Sequence, residues 1–340
     1  AVESNCFTNF ISSPSSVWFG LIFMFLTALI VYNGVEKGIE RVSKFIMPIL
    51  LLMVIGIAIF SLTLKHPVED GTVRTGLQGL KIYLTPDVKG LTVTRFLQIS
   101  LDAMSQLFFS LSVSMGIMIT YGSYVRPEVN LNKAVNQIEI FDTGIAILAG
   151  LMIIPAVFSF SGGNPENLQA GPSLMFITLP KVFASMGIGT AAGILFFVLV
   201  LLAALTSAVS LMETCVSTFA DEFHWSRKKC CVFMAVVMIV LGSASSMGYG
   251  ALDFIQIFGM AFLDFFDFLT NSVMMPLAAL ATCFLILRVV GFKKISEEIE
   301  QSSSFRRKKL YTVFLKYFAP ICLIIILCSS IANVLGIISM

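Results

Sequence analysis

Charged side chains are scarce in this sequence. Only 12% of its 340 residues are Asp, Glu, Lys or Arg, whereas soluble domains carry about 25%. The formal net charge of +2 gives no electrostatic basis for binding nucleic acid. In contrast, 57% of the residues are hydrophobic and the mean hydropathy is +0.92. This composition excludes an ordinary soluble domain and indicates an integral membrane protein.

Motifs for metal binding and catalysis are also lacking. The two histidines, His66 and His224, are isolated, and the seven cysteines show neither zinc spacing nor a disulfide framework. The sequence contains no phosphate-binding loop, and no nucleophile is paired with an oriented base. We therefore expect neither a metal centre of this kind nor an enzyme.

Long apolar runs are what the sequence has in abundance. A run of about 20 residues crosses roughly 30 Å of hydrocarbon as a helix. Because these runs lack the two-residue alternation of membrane strands, we expect helices. The fold class predicted is an all-α integral membrane protein, with residues 1–340 forming a single transmembrane domain. Eight such runs cover about residues 17–33, 46–64, 96–122, 138–159, 189–216, 231–248, 265–290 and 312–338.

Lys and Arg are distributed unevenly between the loops that join these runs. Alternate loops, together with Lys316, carry sixteen of the 22 basic residues. The richer side is expected to face the cytoplasm. The sequence thus predicts a multi-pass protein of the plasma (inner) membrane, surrounded by lipid. The loops on the richer side are residues 34–45, 124–133, 221–230 and 288–311.

Polar residues interrupt the third run, in the segment SQLFFSLSVSMGIMITYGSY (105–124). With its polar flanks this run is about 30 residues long, whereas a straight span needs about 20. Ser110, Ser112 and Ser114 occur at every second position, so a continuous helix would direct neighbouring hydroxyls about 200° apart. An unwound turn at 110–114 would direct them into one cavity. Alternatively, each hydroxyl bonds the carbonyl four residues earlier.

A second polar stripe lies in the fifth run. Ala203, Ser207, Ser210 and Thr214 fall at offsets of 0, 4, 7 and 11, which place them on one helix face, with Thr206 beside them. Small residues and hydroxyls on one stripe are typical of a close helix-packing seam. Clustered oxygens also suit a hard cation such as sodium. The pattern alone leaves both alternatives open.

Several segments, in this order along the chain, resemble one known family. The resemblance is to the neurotransmitter:sodium symporters, which couple sodium to the transport of amino acids and amines, and it covers essentially the whole chain. It implies the inverted-repeat fold of the bacterial leucine transporter type, in which helices 1 and 6 are broken around substrate and sodium. The segments are GVEKGIERVSKFIMP (34–48), QLFFSLSVSMGIMITYGSYV (106–125), FITLPKVF (176–183) and AALTSAVSLME (203–213).

The resemblance also gives the eight runs their places in the fold. They match helices 4 to 11 of the bacterial, eleven-helix branch of the family. Eight of the expected transmembrane helices would then be present. The sequence would be a fragment that lacks the first three helices, of which helix 1 in the family supplies much of both sodium sites and helix 3 a substrate-gating tyrosine.

Roles for individual residues follow from the resemblance. Phe109 resembles the aromatic lid over the substrate, and Ser114 stands where the family often has glycine, which leaves the substrate's size open. Met115 and Leu211 favour an apolar or aromatic amino acid. The expected substrate-binding residues are Phe109, Ser110, Ser112, Met115, Ser207 and Leu211. The expected sodium ligands are Ser110, Ala203 through its carbonyl, Thr206 and Ser207.

Acidic residues within or at the ends of the runs are further candidates. An ionisable residue inside a span is a functional hypothesis by default, and Asp142 with Gln106 resembles an acid that replaces chloride near sodium in bacterial relatives. Tyr124 and Asp221 resemble a cytoplasmic gate, and Asp267 an extracellular one. Asp221 and Asp267 equally suit solvated charges at helix ends.

The function predicted is therefore a sodium-coupled secondary symporter of an amino acid or related amine, with Na⁺ as the co-transported ion. Alternating access to a central site at the broken helix would couple the movement of sodium to that of the substrate. The alternatives are a sensor or channel on the same fold, or an inactive piece of a transporter. Glu213 has no role in this scheme; it is either a cytoplasmic-pathway residue or an acid paired within the bundle.

Overall fold

The computed structural model describes residues 6–67, 73–86, 88, 91–160, 174–184 and 189–334. This part of the chain is almost entirely helical, as predicted. The exception is an antiparallel pair of short strands, β1 (Lys65–Pro67) and β2 (Val73–Thr75). Residues 335–338, the end of the eighth predicted run, lie outside the described residues.

Fifteen α-helices are present in the described residues. In chain order they are α1 (Cys6–Ile11), α2 (Ser15–Tyr32), α3 (Arg41–Thr63), α4 (Gly76–Leu84), α5 (Val93–Ser110), α6 (Ile117–Ser123), α7 (Leu131–Phe160), α8 (Leu179–Ala184), α9 (Gly189–Phe223), α10 (Arg227–Met247), α11 (Phe262–Asp267), α12 (Met275–Phe284), α13 (Phe292–Ser302), α14 (Lys308–Val313) and α15 (Ala319–Val334). π-Helical turns continue neighbouring helices at Val35–Glu40, Leu174–Thr178, Phe268–Met274, Leu285–Val290 and Phe314–Phe318.

Seven helical segments of the described residues are long and apolar enough to cross a membrane. They correspond to seven of the eight predicted runs. The remaining run, 96–122, is divided between α5 and α6. The seven segments are Ser15–Tyr32, Lys37–Thr63, Leu131–Phe160, Gly189–Phe223, Arg227–Met247, Phe262–Val290 and Lys308–Ser329.

Large apolar side chains lie on the outside of these helices. Phe45 is 73% exposed, and Leu52 and Ile140 are each 70% exposed. Exposing such apolar surface to water costs free energy, whereas it is the ordinary outer surface of a helix in hydrocarbon. The exposed apolar faces therefore fit the multi-pass membrane protein that the composition predicts.

Contacts within the chain divide it into two compact units. The first unit consists of Ala1–Lys89, Thr143–Met212 and Trp225–Ala251. Within it, Gly79 of α4 permits close packing on α7, because a Cβ at this position would lie 2.7 Å from Pro155 Cα. The core of this unit is built from α3, α7, α8 and α9 by Val54, Ile57, Ala58, Met152, Val157, Leu179, Phe183, Ala192, Phe196 and Leu199.

The second unit contains the divided run. It consists of Gly90–Asp142, Glu213–His224 and Leu252–Met340. α12 packs against α15 and against the short turn between α5 and α6. Buried side chains of α12 and α15, Cys283 and Leu323, form part of its core.

Candidate functional site

The backbone between α5 and α6 leaves the helical path. Ser112 has φ 52° and Gly116 has φ 77°, both in the left-handed region, on either side of a single 3₁₀ turn, Val113–Met115. A non-glycine residue seldom adopts positive φ. The structure thus confirms the predicted interruption of the third run, which extends from Leu111 to Gly116.

The backbone and its surroundings at position 116 require glycine. Its positive φ is open to glycine but costs other residues roughly 1–2 kcal/mol. A Cβ at this position would also lie 3.1 Å from Thr214 Cγ2 of α9, tighter than ordinary contact. Conformation and space therefore both favour glycine where α6 begins.

The end of α5 is hydrogen-bonded to α7 through Ser110. Its hydroxyl donates to Oδ1 of Asp142 over 2.5 Å. Asp142 is the twelfth residue of α7, well inside a segment long enough to span a membrane. Gln106, one turn before Ser110 on α5, forms no hydrogen bond with Asp142 within the described part of the chain. The structure therefore brings Asp142 into contact with Ser110 and does not pair it with Gln106.

A second polar contact joins Tyr124, which follows α6, to Glu213 on α9. The Tyr124 hydroxyl donates a 2.7 Å hydrogen bond to Glu213 Oε1. The Glu213 side chain is fully buried, with 0% exposure. A buried carboxylate needs hydrogen-bonding partners to offset its lost hydration. Glu213, which had no role in the sequence prediction, is thus part of a defined contact; its position inside an apolar run was the signal.

The hydroxyl stripe of α9 forms hydrogen bonds within its own helix. Thr206 Oγ1 donates to the carbonyl of Ala203 over 2.9 Å, and Ser210 Oγ donates to the carbonyl of Thr206 over 3.1 Å. A hydroxyl that donates one bond still has lone pairs for a cation. The Ala203 carbonyl and the Thr206 hydroxyl are therefore adjacent oxygens on one helix face. Ser207 is exposed beside them.

Ser114 is the middle residue of the 3₁₀ turn between α5 and α6. Its Oγ is buried and has no hydrogen-bond partner within the described residues. It lines a small cavity of about 20 Å³ with Ser105 and Asn271. A cavity needs roughly 10–15 Å³ to hold a water molecule, so this one has room for a single water among three polar side chains.

The two acids predicted to be gates are exposed. Asp221 lies in the last turn of α9, and Asp267 is the last residue of α11. Asn271 donates a 2.5 Å hydrogen bond to Asp267 Oδ1. Within the described residues, neither acid forms an ion pair. Their gating roles stay predictions.

The predicted substrate and sodium residues are divided between the two units. The roles that need both groups together stay predictions. The second unit holds Phe109, Ser110, Ser112 and Met115, and the first holds Ala203, Thr206, Ser207 and Leu211.

The sequence has clear similarity to one family and to individual transporters. The profile of the "Sodium:neurotransmitter symporter family" matches residues 6–337. The "Uncharacterized sodium-dependent transporter YhdH" of Bacillus subtilis is 36% identical over 321 residues, which are 94% of this chain and 66% of the relative. An uncharacterized sodium-dependent transporter of Haemophilus influenzae is 30% identical over 316 residues, 93% of this chain and 65% of the relative. The chain thus spans slightly less than two thirds of each of these proteins.

The fold is also similar to that of a solved structure. MhsT in complex with L-phenylalanine superimposes with a TM-score of 0.79 at 37% sequence identity. The match covers 95% of this chain and 70% of MhsT. The family match over residues 6–337 includes both α5–α6 and the hydroxyl stripe of α9.

Proposed function

Because this chain belongs to the sodium:neurotransmitter symporter family, we propose that it is a sodium-coupled secondary symporter of an amino acid or a related amine. The family and the all-α membrane fold predicted from the sequence are confirmed. The relatives named above are sodium-dependent transporters. Transport by this protein, its substrate and its ion ligands are the proposal.

The observation that carries the proposal is the interruption between α5 and α6. Non-helical backbone at membrane depth is tolerated only where it is buried in protein or lines a cavity. Broken helices are used in transporters to place backbone carbonyls against ions. The carboxyl end of α5 also carries partial negative charge, which favours a cation. We therefore assign one sodium to the end of α5, with the Ser110 hydroxyl as a ligand.

Asp142 supplies the negative charge for this sodium. Its contact with Ser110 places a carboxylate at 2.5 Å from the proposed ligand hydroxyl. An ionised Asp142 would balance the sodium charge in the bound state, so that chloride is not needed. Protonation after sodium leaves would keep the empty site from holding an unbalanced charge.

A second sodium is assigned to α9. The Ala203 carbonyl and the Thr206 hydroxyl, 2.9 Å apart, offer two oxygens to a hard cation, and Ser207 adds a third. The intrahelical hydrogen bond of Thr206 also fits a packing seam. The sodium dependence of uptake after substitution of Thr206 distinguishes a sodium site from a packing seam.

The substrate proposed is an apolar or aromatic amino acid. Met115 and Leu211 are the apolar side chains assigned to its pocket, and MhsT, which resembles this chain closely, binds L-phenylalanine. Phe109, which is 48% exposed in the described structure, is the proposed lid. Tyr124 and Asp221 would close the cytoplasmic side and Asp267 the extracellular side.

The proposed coupling to sodium provides enough free energy to transport the substrate against its concentration gradient. One positive charge moving through 100 mV releases about 2.3 kcal/mol. Since 1.4 kcal/mol corresponds to tenfold, a net inward movement of one positive charge per cycle supports more than tenfold accumulation from the membrane potential alone.

The test uses the protein as its gene encodes it, reconstituted into liposomes. Labelled phenylalanine, leucine and tryptophan are added with an inward sodium gradient, and matched vesicles receive potassium. We expect accumulation only with sodium, abolished by a sodium ionophore. Uptake that is equal in sodium and potassium, or sodium leak without accumulation of any amino acid or amine, would overturn the proposal.

A further inference from the structure

A pocket of about 590 Å³ opens in the second unit, away from the α5–α6 turn. It is lined by the first turns of α7, the end of α13 and the start of α14. Both α7 and the segment Lys308–Ser329 are long enough to span a membrane, and both begin here. The pocket therefore lies at the level where spans meet lipid headgroups, on the side that the basic loops assign to the cytoplasm.

The loop between α13 and α14 is fixed against α7. Asn132 Nδ2 donates to Ser303 Oγ over 2.8 Å and to the Ser304 carbonyl over 3.2 Å. The two residues that follow Phe305 are Arg306 and Arg307, and both line the pocket. These hydrogen bonds hold the loop that carries the arginines beside the first turn of α7.

The charged side chains that line the pocket have a net positive charge. Within the described residues neither Arg306 nor Arg307 forms an ion pair, whereas the neighbouring Lys308 is paired with Glu300 at 3.0 Å. Glu139 is an acid among the lining residues, so two guanidinium groups face one carboxylate. A guanidinium group binds phosphate oxygens with two parallel hydrogen bonds.

An apolar wall continues from the arginines along the last span. Leu310 and Phe314, one turn apart, line the pocket and are 57% and 48% exposed. Tyr311 lies between them, and aromatic residues with a polar end are typical of membrane interfaces. A free phosphate would use the arginines and leave this wall empty. A molecule with an anionic end and a hydrocarbon chain would use both.

We propose that this pocket binds one anionic phospholipid of the cytoplasmic leaflet. Arg306 and Arg307 hold the phosphate diester, and Leu310 and Phe314 pack against the upper part of an acyl chain. Asn136, which lines the pocket, is placed to hydrogen-bond the hydroxyls of a glycerol headgroup. Phosphatidylglycerol has all three features. This site is independent of sodium and substrate binding.

The first test measures lipid retained by the purified protein, expressed as its gene encodes it. Native mass spectrometry in detergent compares dioleoyl phosphatidylglycerol with dioleoyl phosphatidylcholine. Each basic side chain near an anionic headgroup contributes about a fivefold preference. We therefore expect Arg306→Gln with Arg307→Gln to reduce the phosphatidylglycerol preference roughly tenfold or more.

The matched control removes two charges from the same loop region. Lys293 and Lys294 lie on α13 and do not line the pocket. Lys293→Gln with Lys294→Gln should change the preference less than twofold. An equal loss in both double variants, or no loss in the arginine variant, would show that the pocket does not select the lipid.

A second measurement needs no loss of arginine. Phe305→Trp places a tryptophan at the pocket, and Trp18→Phe with Trp225→Phe removes the two tryptophans of the 340-residue sequence; any further tryptophan in the expressed protein is likewise replaced by Phe. We expect brominated phosphatidylglycerol to quench its fluorescence at several-fold lower mole fraction than brominated phosphatidylcholine. Soluble glycerol phosphate should leave this quenching unchanged. Equal quenching by the two lipids refutes the site, and displacement by glycerol phosphate assigns the pocket to a soluble anion.

Discussion

Tyr124 and Glu213, 89 positions apart, are joined by a 2.7 Å hydrogen bond in which the tyrosine hydroxyl donates to a fully buried carboxylate oxygen. Tyr124 follows the short helix α6, and Glu213 belongs to the long helix α9. The contact thus ties the segment after the interruption to a continuous span. A movement of α6 away from α9 would break this hydrogen bond.

Loss of the Tyr124 hydroxyl should destabilise the protein. Tyr124→Phe removes a donor from a buried acid, which costs about 1–3 kcal/mol. We expect a lower midpoint of thermal unfolding in detergent, and a smaller effect for Glu213→Gln, which keeps an acceptor oxygen. Tyr317→Phe, at a ring that is 56% exposed, is the control. Equal midpoints for Tyr124→Phe and wild type would mean that the bond adds no stability.

Replacing glycine by alanine should destabilise the protein at Gly116, where φ is positive, but not at Gly122, which lies in a helix. Gly116→Ala forces a Cβ into positive φ and to 3.1 Å from Thr214 Cγ2, so we expect destabilisation of roughly 1–2 kcal/mol or more. Gly122→Ala in α6 meets no atom within 4 Å and should be neutral or stabilising by up to about 1 kcal/mol. The measurement compares the midpoints of thermal unfolding of the two variants. Equal midpoints for Gly116→Ala and Gly122→Ala would contradict the positive φ at Gly116.

Removal of the Asp142 carboxylate should change the anion requirement of uptake. In Asp142→Ser the sodium proposed near Ser110 would lose its balancing charge, and we expect uptake to become dependent on chloride. The measurement compares chloride with gluconate at fixed sodium. Asp142→Glu keeps the acid and should remain independent of chloride. If Asp142→Ser behaves like wild type at every chloride concentration, the acid does not replace chloride.

Sodium activation should depend on the Thr206 hydroxyl. Hydrogen-bonding and coordinating groups on charged partners contribute about 1.5–3 kcal/mol, so Thr206→Ala should raise the half-activating sodium concentration roughly tenfold or more. Thr206→Ser retains the oxygen and should lie near wild type. Ser210→Ala removes another hydroxyl of the stripe, which donates to the Thr206 carbonyl, and is the matched control. An unchanged sodium curve for Thr206→Ala would assign the stripe to helix packing.

The local features of the site could be predicted from sequence, because they depend on residues close together in the chain. Serines at every second position and a span too long for the bilayer predicted the interruption that Ser112 and Gly116 form. The identity of the family followed from short segments in order.

Contacts between distant segments could not be predicted in the same way. The partners Ser110 and Asp142 are 32 positions apart, and only tertiary packing brings their helices into reach. Resemblance directed attention to both residues but did not give the hydrogen bond. Glu213 had a signal, an acid inside an apolar run, and Tyr124 was predicted as a gate residue with Asp221, but no sequence pattern paired Tyr124 with Glu213.

The divided run also determines which way every later loop faces. Length and hydropathy alone identify seven crossings among the described residues, an odd number that skips α5 and α6. On that count, Arg126 with Lys133, the basic cluster 227–229 and the arginines of the lipid pocket would face away from the cytoplasm, against the usual bias. When the two half-helices together are counted as one crossing, all of these cations return to the same side as Lys37. The parity of the topology therefore depends on α5 and α6, neither of which is recognised as a span by itself.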